Sequence, residues 1–123
     1  MFKQIILVGL GGGIGSILRF IISQISDRFI NLKFPISTLI VNIIGSFLIG
    51  IVLAYLQKNN AEASDFKYLL AIGFCGGFTT FSAFAWENLQ FFNSQNYNLA
   101  LLYIALSLVL CFLGVAGGFF LIK

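Results

Sequence analysis

Four long apolar runs, separated by short polar connections, take up nearly all of this 123-residue chain. Each run holds 22 to 25 residues, and they cover Gln4–Ser26, Ile36–Gln57, Tyr68–Phe92 and Leu99–Ile122. As helices they would be about 33–38 Å long, enough to cross a hydrocarbon core about 30 Å thick. Hydrophobic residues make up 59% of the chain and charged residues 9%, which is far from the composition of a soluble domain. The pattern predicts an all-α membrane protein with four transmembrane helices, forming one domain over residues 1–123.

The charges at the two ends of these helices are nearly balanced. With four spans, both chain termini lie on the same side of the membrane, and that side carries Lys3, Lys58, Lys67 and Lys123. The other side carries Arg28 and Lys33, and also Arg19 if its side chain extends that way. This small difference favours termini inside under the positive-inside rule, and it also permits insertion in both orientations. Because the basic residues are scattered rather than gathered in a patch, no nucleic-acid partner is expected.

The residue inventory argues against an enzyme. The chain has no histidine, which excludes Ser-His and Cys-His nucleophile systems and the usual zinc ligand sets. Glu87 is the only acidic residue outside the predicted loops, and a lone carboxylate does not form an acid and base pair. Cys75 and Cys111 lie in separate runs without Cys-x-x-Cys spacing, and we interpret them as small apolar residues.

The third run contains an unusual segment, Gly76–Phe84, with two glycines and three hydroxyl side chains at membrane depth. Glycine loosens a helix because it lacks side-chain packing and tolerates other backbone angles. In hydrocarbon, backbone released from helical hydrogen bonds survives only where it is buried in protein or lines a polar cavity. The segment therefore predicts a break in the third helix, at a place that handles something polar or charged.

Polar or aromatic residues also recur on one face of three of the predicted helices. A single Ser or Thr in a span most often makes an interhelical hydrogen bond, worth about 0.6 kcal/mol on average. Three such faces together favour a polar pathway through the membrane. Their members are Thr38, Asn42 and Ser46 on the second helix, Thr80, Phe81, Phe84, Glu87 and Asn88 on the third, and Tyr103, Ser107 and Cys111 on the fourth.

The chemistry of this pathway suits an anion better than a cation. Asn42 offers amide N–H donors, the hydroxyl side chains offer O–H donors, and Arg19 offers positive charge. Phe81 and Phe84 could contact an anion edge-on, because a ring edge carries the positive end of the aromatic quadrupole. The residues alone lead no further than a small anion.

Three segments resemble the helix signatures of the Fluc family of fluoride channels, small four-span proteins that export fluoride from the microbial cytoplasm. Gly12–Phe20 is similar to Gly-Gly-x-Gly-Ala-x-x-Arg-Tyr, and Ser37–Phe47 to Gly-Thr-Leu-x-Val-Asn-x-x-Gly-Ser-Phe. Gly73–Phe84 is similar to a signature ending in Gly-Gly-x-Thr-Thr-Phe-Ser-Thr-Phe. The segments follow the family's order, each on its own span, and the resemblance covers almost the whole chain. The departures are Ser16 for alanine, Ser37 for glycine and Ala83 for threonine.

The resemblance implies an antiparallel, dual-topology homodimer in the inner cell membrane, with two pores that export fluoride passively and so relieve fluoride toxicity. It implies that Asn42 lines the pore, and that Phe81 and Phe84 supply a phenylalanine box, with one ring from each subunit in each pore. It also implies a structural Na⁺ at the dimer interface, which is not transported and is held by the backbone carbonyls of Gly76 and Thr79. Further positions on the implied fluoride pathway are Thr38, Thr80, Ser82, Glu87, Tyr103 and Ser107, with Arg19 attracting anions to a vestibule.

Two other classes of function remain open on the sequence. A small multidrug-type exporter is also short, with four spans and dual topology, but it requires an acidic residue in the middle of the first span. That span has only Lys3 and Arg19 as charges. A structural membrane subunit would use its polar residues for packing alone. Substituting Phe81 or Asn42 would then dissociate the dimer, whereas in a channel it would abolish flux and leave the dimer intact.

Overall fold

The structure is a computed structural model that describes residues 1–30 and 33–123. These residues form helices and no strand, and Asn31 and Leu32 of the first predicted connection lie outside them. The helices are α1 (Phe2–Phe29), α2 (Ile36–Lys58), α3, α4 (Phe81–Asn93) and α5 (Tyr97–Ile122). Helix α3 is π-helical over Lys67–Cys75 and ends in an α-helical turn over Gly76–Phe78.

Four stretches of helix in the described part of the chain are long and apolar enough to cross a membrane. They are Phe2–Phe29, Ile36–Lys58, Lys67–Asn93 and Tyr97–Ile122, so that α3 and α4 together make the third span. The predicted all-helical architecture with four membrane spans is thereby confirmed.

The helices pack mainly as two pairs: α1 packs against α3, and α2 packs against α5. Small residues permit both approaches, because a Cβ atom on Gly15 or Gly118 would collide with backbone of the partner helix, at Phe74 O and Phe47 O respectively. In a membrane the hydrophobic effect does not drive helices together, so they associate through close van der Waals packing at small residues.

A small buried core holds α4 against α2 and α5 at one end of the subunit. Tyr103 and Ala100 of α5 are fully buried, and they pack with Leu39 of α2 and Phe91 of α4. This is the end at which α1 finishes, α2 begins, α4 finishes and α5 begins.

Candidate functional site

Thr79 and Thr80, between α3 and α4, have extended rather than helical backbone, and we call this pair the extended segment. The φ and ψ angles are −83° and 157° at Thr79, and −148° and 118° at Thr80. The amide and the hydroxyl of Thr79 both donate to Cys75 O, at 3.0 and 2.8 Å, which closes the end of α3. Thr80 caps α4, because its Oγ1 accepts the N–H of Ala83 at 3.2 Å.

Asn42 of α2 pairs with the backbone of Thr80 through both ends of its side-chain amide. The N–H of Thr80 donates to Asn42 Oδ1 at 2.8 Å, and Asn42 Nδ2 donates to Thr80 O at 3.1 Å. Extended backbone at membrane depth needs such partners because hydrocarbon offers none. Among the described residues Nδ2 uses one of its two hydrogens, and the other can donate elsewhere. Asn42, which the resemblance puts in the pore, therefore also holds the extended segment in place.

The carbonyl of Gly77, two residues before the extended segment, accepts hydrogen bonds from two side chains of α1. Arg19 Nε donates to it at 3.1 Å and Ser16 Oγ at 3.4 Å. Arg19 is predicted from its charge, whereas Ser16 stands out in the sequence only as a departure from the family signature. The available signal for Ser16 was its spacing, because residues three apart share one side of a helix.

Both carboxylate oxygens of Glu87 accept hydrogen bonds from other helices. The Tyr103 hydroxyl donates to Oε1 and the Thr38 hydroxyl donates to Oε2, each at 2.8 Å. These two hydrogen bonds join three helices, so the cluster ties α2, α4 and α5 together. Each hydroxyl has one O–H to donate, so Thr38 and Tyr103 spend theirs on Glu87 rather than on a passing anion.

Three aromatic rings run from the surface of the subunit into its core. The Phe81 and Phe84 rings have centroids 5.6 Å apart, and those of Phe84 and Tyr103 are 5.0 Å apart. Phe81 is 77% exposed, whereas Tyr103 is fully buried. A large ring this exposed, beside polar backbone at membrane depth, indicates a surface that something else covers.

An open cleft of about 490 Å³ lies between the ends of α1, α2 and α4, and we call it the vestibule. Two basic and two acidic side chains line it, Arg19 and Lys33 with Asp27 and Glu87. Its hydroxyl groups come from Ser23, Ser26, Ser37, Thr38 and Thr80.

A second, shallower cleft of about 370 Å³ runs along α2 between α3 and α5, and we call it the groove. Among the described residues, the buried Ser107 Oγ in its lining has no hydrogen-bond partner. Thr80 lines both clefts. The extended segment thus stands where the vestibule meets the groove.

The structure brings most of the predicted site residues to these two clefts. The vestibule holds Arg19, Thr38, Thr80 and Glu87, and the groove holds Asn42, Gly76, Thr79, Thr80, Phe81, Phe84 and Ser107. Tyr103 lies buried behind them, in contact with Glu87 and Phe84. Ser82 lines neither cleft; it is exposed, with its Oγ 3.2 Å from Thr80 Oγ1.

This chain matches a known protein family and several named proteins over nearly its whole length. The family described as CrcB-like protein, Camphor Resistance (CrcB), matches residues 6–119. "Fluoride-specific ion channel FluC" of Azobacteroides pseudotrichonymphae is 43% identical over 98% of this chain and 97% of the relative. The protein of the same name in Flavobacterium psychrophilum is 40% identical over 98% of each chain, and that in Campylobacter lari is 42% identical over the whole of both. The expected membership is confirmed: this chain is a multi-pass membrane protein of the CrcB-like family, and it is similar over nearly its full length to FluC ion channels.

Proposed function

We propose that this protein is a fluoride-selective channel of the inner cell membrane, which lets fluoride leave the cytoplasm passively and so relieves its toxicity. The observation that carries the proposal is similarity over nearly the full length to proteins named fluoride-specific ion channels. A channel is not an enzyme, and passive conduction needs no reacting groups. The site supports this proposal because the groove offers hydroxyls, an amide and ring edges, and among the described residues its lining includes no acidic or basic side chain.

The proposed path runs from the vestibule, past Thr80, into the groove. Arg19 places a positive charge at the mouth, where it attracts anions locally, although the vestibule lining as a whole carries as many acidic as basic side chains. Within the membrane, an ion sheds water only where other groups replace it. The free Nδ2 hydrogen of Asn42, the unpartnered Ser107 hydroxyl and the edges of Phe81 and Phe84 are suited to replace it.

We also propose that two copies assemble antiparallel, with their grooves facing each other. The groove contains backbone of the extended segment and the exposed ring of Phe81, and irregular backbone is not left facing lipid. The nearly balanced charges of the two ends permit each copy to insert in either orientation. In this assembly the extended segment becomes a true break in the third span, buried between subunits.

The carbonyls of Gly76 and Thr79 fit the proposed structural Na⁺. In a continuous helix they would accept the N–H groups of Thr80 and Ala83, and both of those amides are bonded elsewhere. A hard cation prefers oxygen ligands, and released carbonyls in a membrane need such a partner. The ion would hold the two third spans together and would not be transported.

Fluoride efflux from liposomes tests the function directly. Vesicles loaded with potassium fluoride and containing the purified protein should release fluoride rapidly when valinomycin is added, as a fluoride electrode measures. Matched vesicles loaded with potassium chloride should hold their chloride. Fluoride release that needs no valinomycin and moves protons would indicate coupled transport instead. Absence of release from a folded dimer would favour the exporter or the structural subunit.

Labelling from one side of the membrane tests the dual topology. Ala63 is exposed in the connection between α2 and α3, so an Ala63→Cys variant places a thiol outside the membrane. A membrane-impermeant maleimide added to sealed cells should label about half of the chains, because oppositely inserted copies present this connection to opposite sides. The unmodified chain, whose two cysteines lie within spans, is the control. Labelling of all chains or of none would contradict the antiparallel assembly.

A further inference from the structure

Two backbone amides at the extended segment are taken by side-chain oxygens. The N–H of Thr80 donates to Asn42 Oδ1 at 2.8 Å, and the N–H of Ala83 donates to Thr80 Oγ1 at 3.2 Å. In an uninterrupted helix each N–H bonds to the carbonyl four residues earlier. The first amide would then occupy Gly76 O and the second would occupy Thr79 O.

The two side chains therefore decide whether those two carbonyls are free. Without Asn42 Oδ1, the N–H of Thr80 needs another acceptor at membrane depth, and Gly76 O is the one that helix geometry offers. Without Thr80 Oγ1, the N–H of Ala83 turns in the same way to Thr79 O, which adds one residue to the start of α4. A buried amide does not stay unpaired. Loss of the Asn42 oxygen would therefore occupy the Gly76 carbonyl, and loss of the Thr80 oxygen would occupy the Thr79 carbonyl.

We infer that Asn42 and Thr80 are positioning residues for a cation at the extended segment, because their side-chain oxygens capture the two amides that would otherwise occupy the carbonyls of Gly76 and Thr79. The inference rests on the Na⁺ of the proposed function, and it adds which side chains create that site. Neither side chain need touch the ion. Asn42 would act from α2 and Thr80 from within the third span, so two separate hydrogen bonds support one cation.

Thr80→Ser and Thr80→Val form a matched pair for the test. Serine keeps the Oγ that accepts the N–H of Ala83, whereas valine keeps the branched shape and loses the acceptor. The readout is the rise in thermal unfolding temperature when Na⁺ replaces N-methylglucamine, measured on the purified full-length protein in detergent without fluoride. The Na⁺ concentration that gives half of this rise measures the affinity of the site independently of transport.

The unmodified protein and Thr80→Ser should show the same Na⁺-dependent rise. Thr80→Val should need at least about tenfold more Na⁺ for half of the rise, a change of about 1.4 kcal/mol in binding. Half-maximal activation of fluoride flux by Na⁺ should shift in parallel. A lower unfolding temperature in both salts, with an unchanged Na⁺ response, would mean that Thr80 is only structural and would overturn the inference.

Two further outcomes separate the inference from the proposed function. If the unmodified protein shows no response to Na⁺, the proposed ion is wrong and the inference fails with it. If Thr80→Val and the unmodified protein respond at the same Na⁺ concentration, the ion stands and the inference fails. Should Thr80→Val not fold, Asn42→Ala makes the same comparison through the other amide. Its half-response should shift in the same direction, and an unchanged half-response would overturn the inference.

Discussion

Phe81→Ile should lower fluoride flux through the reconstituted protein by about tenfold or more, equivalent to about 1.4 kcal/mol on the barrier to permeation. Isoleucine keeps the apolar character of the side chain but has no ring edge to present to an anion. Phe81 lines the groove beside Thr80 and Phe84, where the proposed path passes. Flux is measured by fluoride electrode in the liposome assay, at matched protein density.

The subunit should stay folded in this variant, because Phe81 contributes little to packing within it. Its side chain is 77% exposed. The start of α4 is held by the Thr80 hydroxyl, which accepts the N–H of Ala83 and is unchanged in this variant. Phe120→Ile is the control, since Phe120 is 70% exposed and lines neither cleft. Size-exclusion chromatography in detergent should show both variants as the same dimer. Dissociation or aggregation of Phe81→Ile, with flux lost only for that reason, would favour a structural subunit.

Gly15→Ala should destabilise the fold by about 1–3 kcal/mol or more, the usual cost of overpacking a tight contact. A Cβ atom at Gly15 would meet the backbone of α3, at Phe74 O and at Phe78 N, the latter 2.8 Å away. Backbone atoms cannot rotate aside as a flexible side chain can, so α1 and α3 would have to separate. Gly15 is directly followed by Ser16 and lies one turn before Arg19, the two residues that donate to Gly77 O, so flux should fall as well.

Gly13→Ala is the matched control for that substitution. Gly13 lies on the same helix, but a Cβ atom there has nothing within 4 Å. Alanine is also a better helix former than glycine, so stability should hold or rise slightly. Unfolding of each variant in detergent, followed by circular dichroism against increasing SDS, measures the difference. Equal loss of stability in both variants would contradict the α1–α3 contact as described.

The number of spans and the residue types of the site could be predicted from the sequence, because length and hydropathy determine which segments suit a bilayer. Helical spacing also placed Thr38 and Asn42 on one face of α2. It could not determine which face of a second helix meets them. The bonds of Thr38 and Tyr103 to Glu87 depend on the relative rotation of three helices, which no single periodicity contains.

The pairing of Asn42 with Thr80 could not be predicted for a different reason. An asparagine in a span indicates a polar partner, but the partner here is backbone that becomes available only because the extended segment departs from helix. The π-helical geometry of Lys67–Cys75 could not be predicted either, because a π-helix and an α-helix of apolar residues have similar composition. Arg19 was selected as a free charge, whereas one of its nitrogens is committed to Gly77 O.

The vestibule opens at one end of the subunit, where α1 finishes and α2 begins. In the proposed antiparallel pair, each compartment would meet an identical mouth, so the assembly as a whole would have no preferred direction. Only the electrical potential would then hold fluoride outside. A potential of 100 mV is worth about 2.3 kcal/mol per charge, about a fiftyfold ratio of concentrations. Protection of this kind lasts only while the membrane is energised, and a de-energised cell would equilibrate with the fluoride around it.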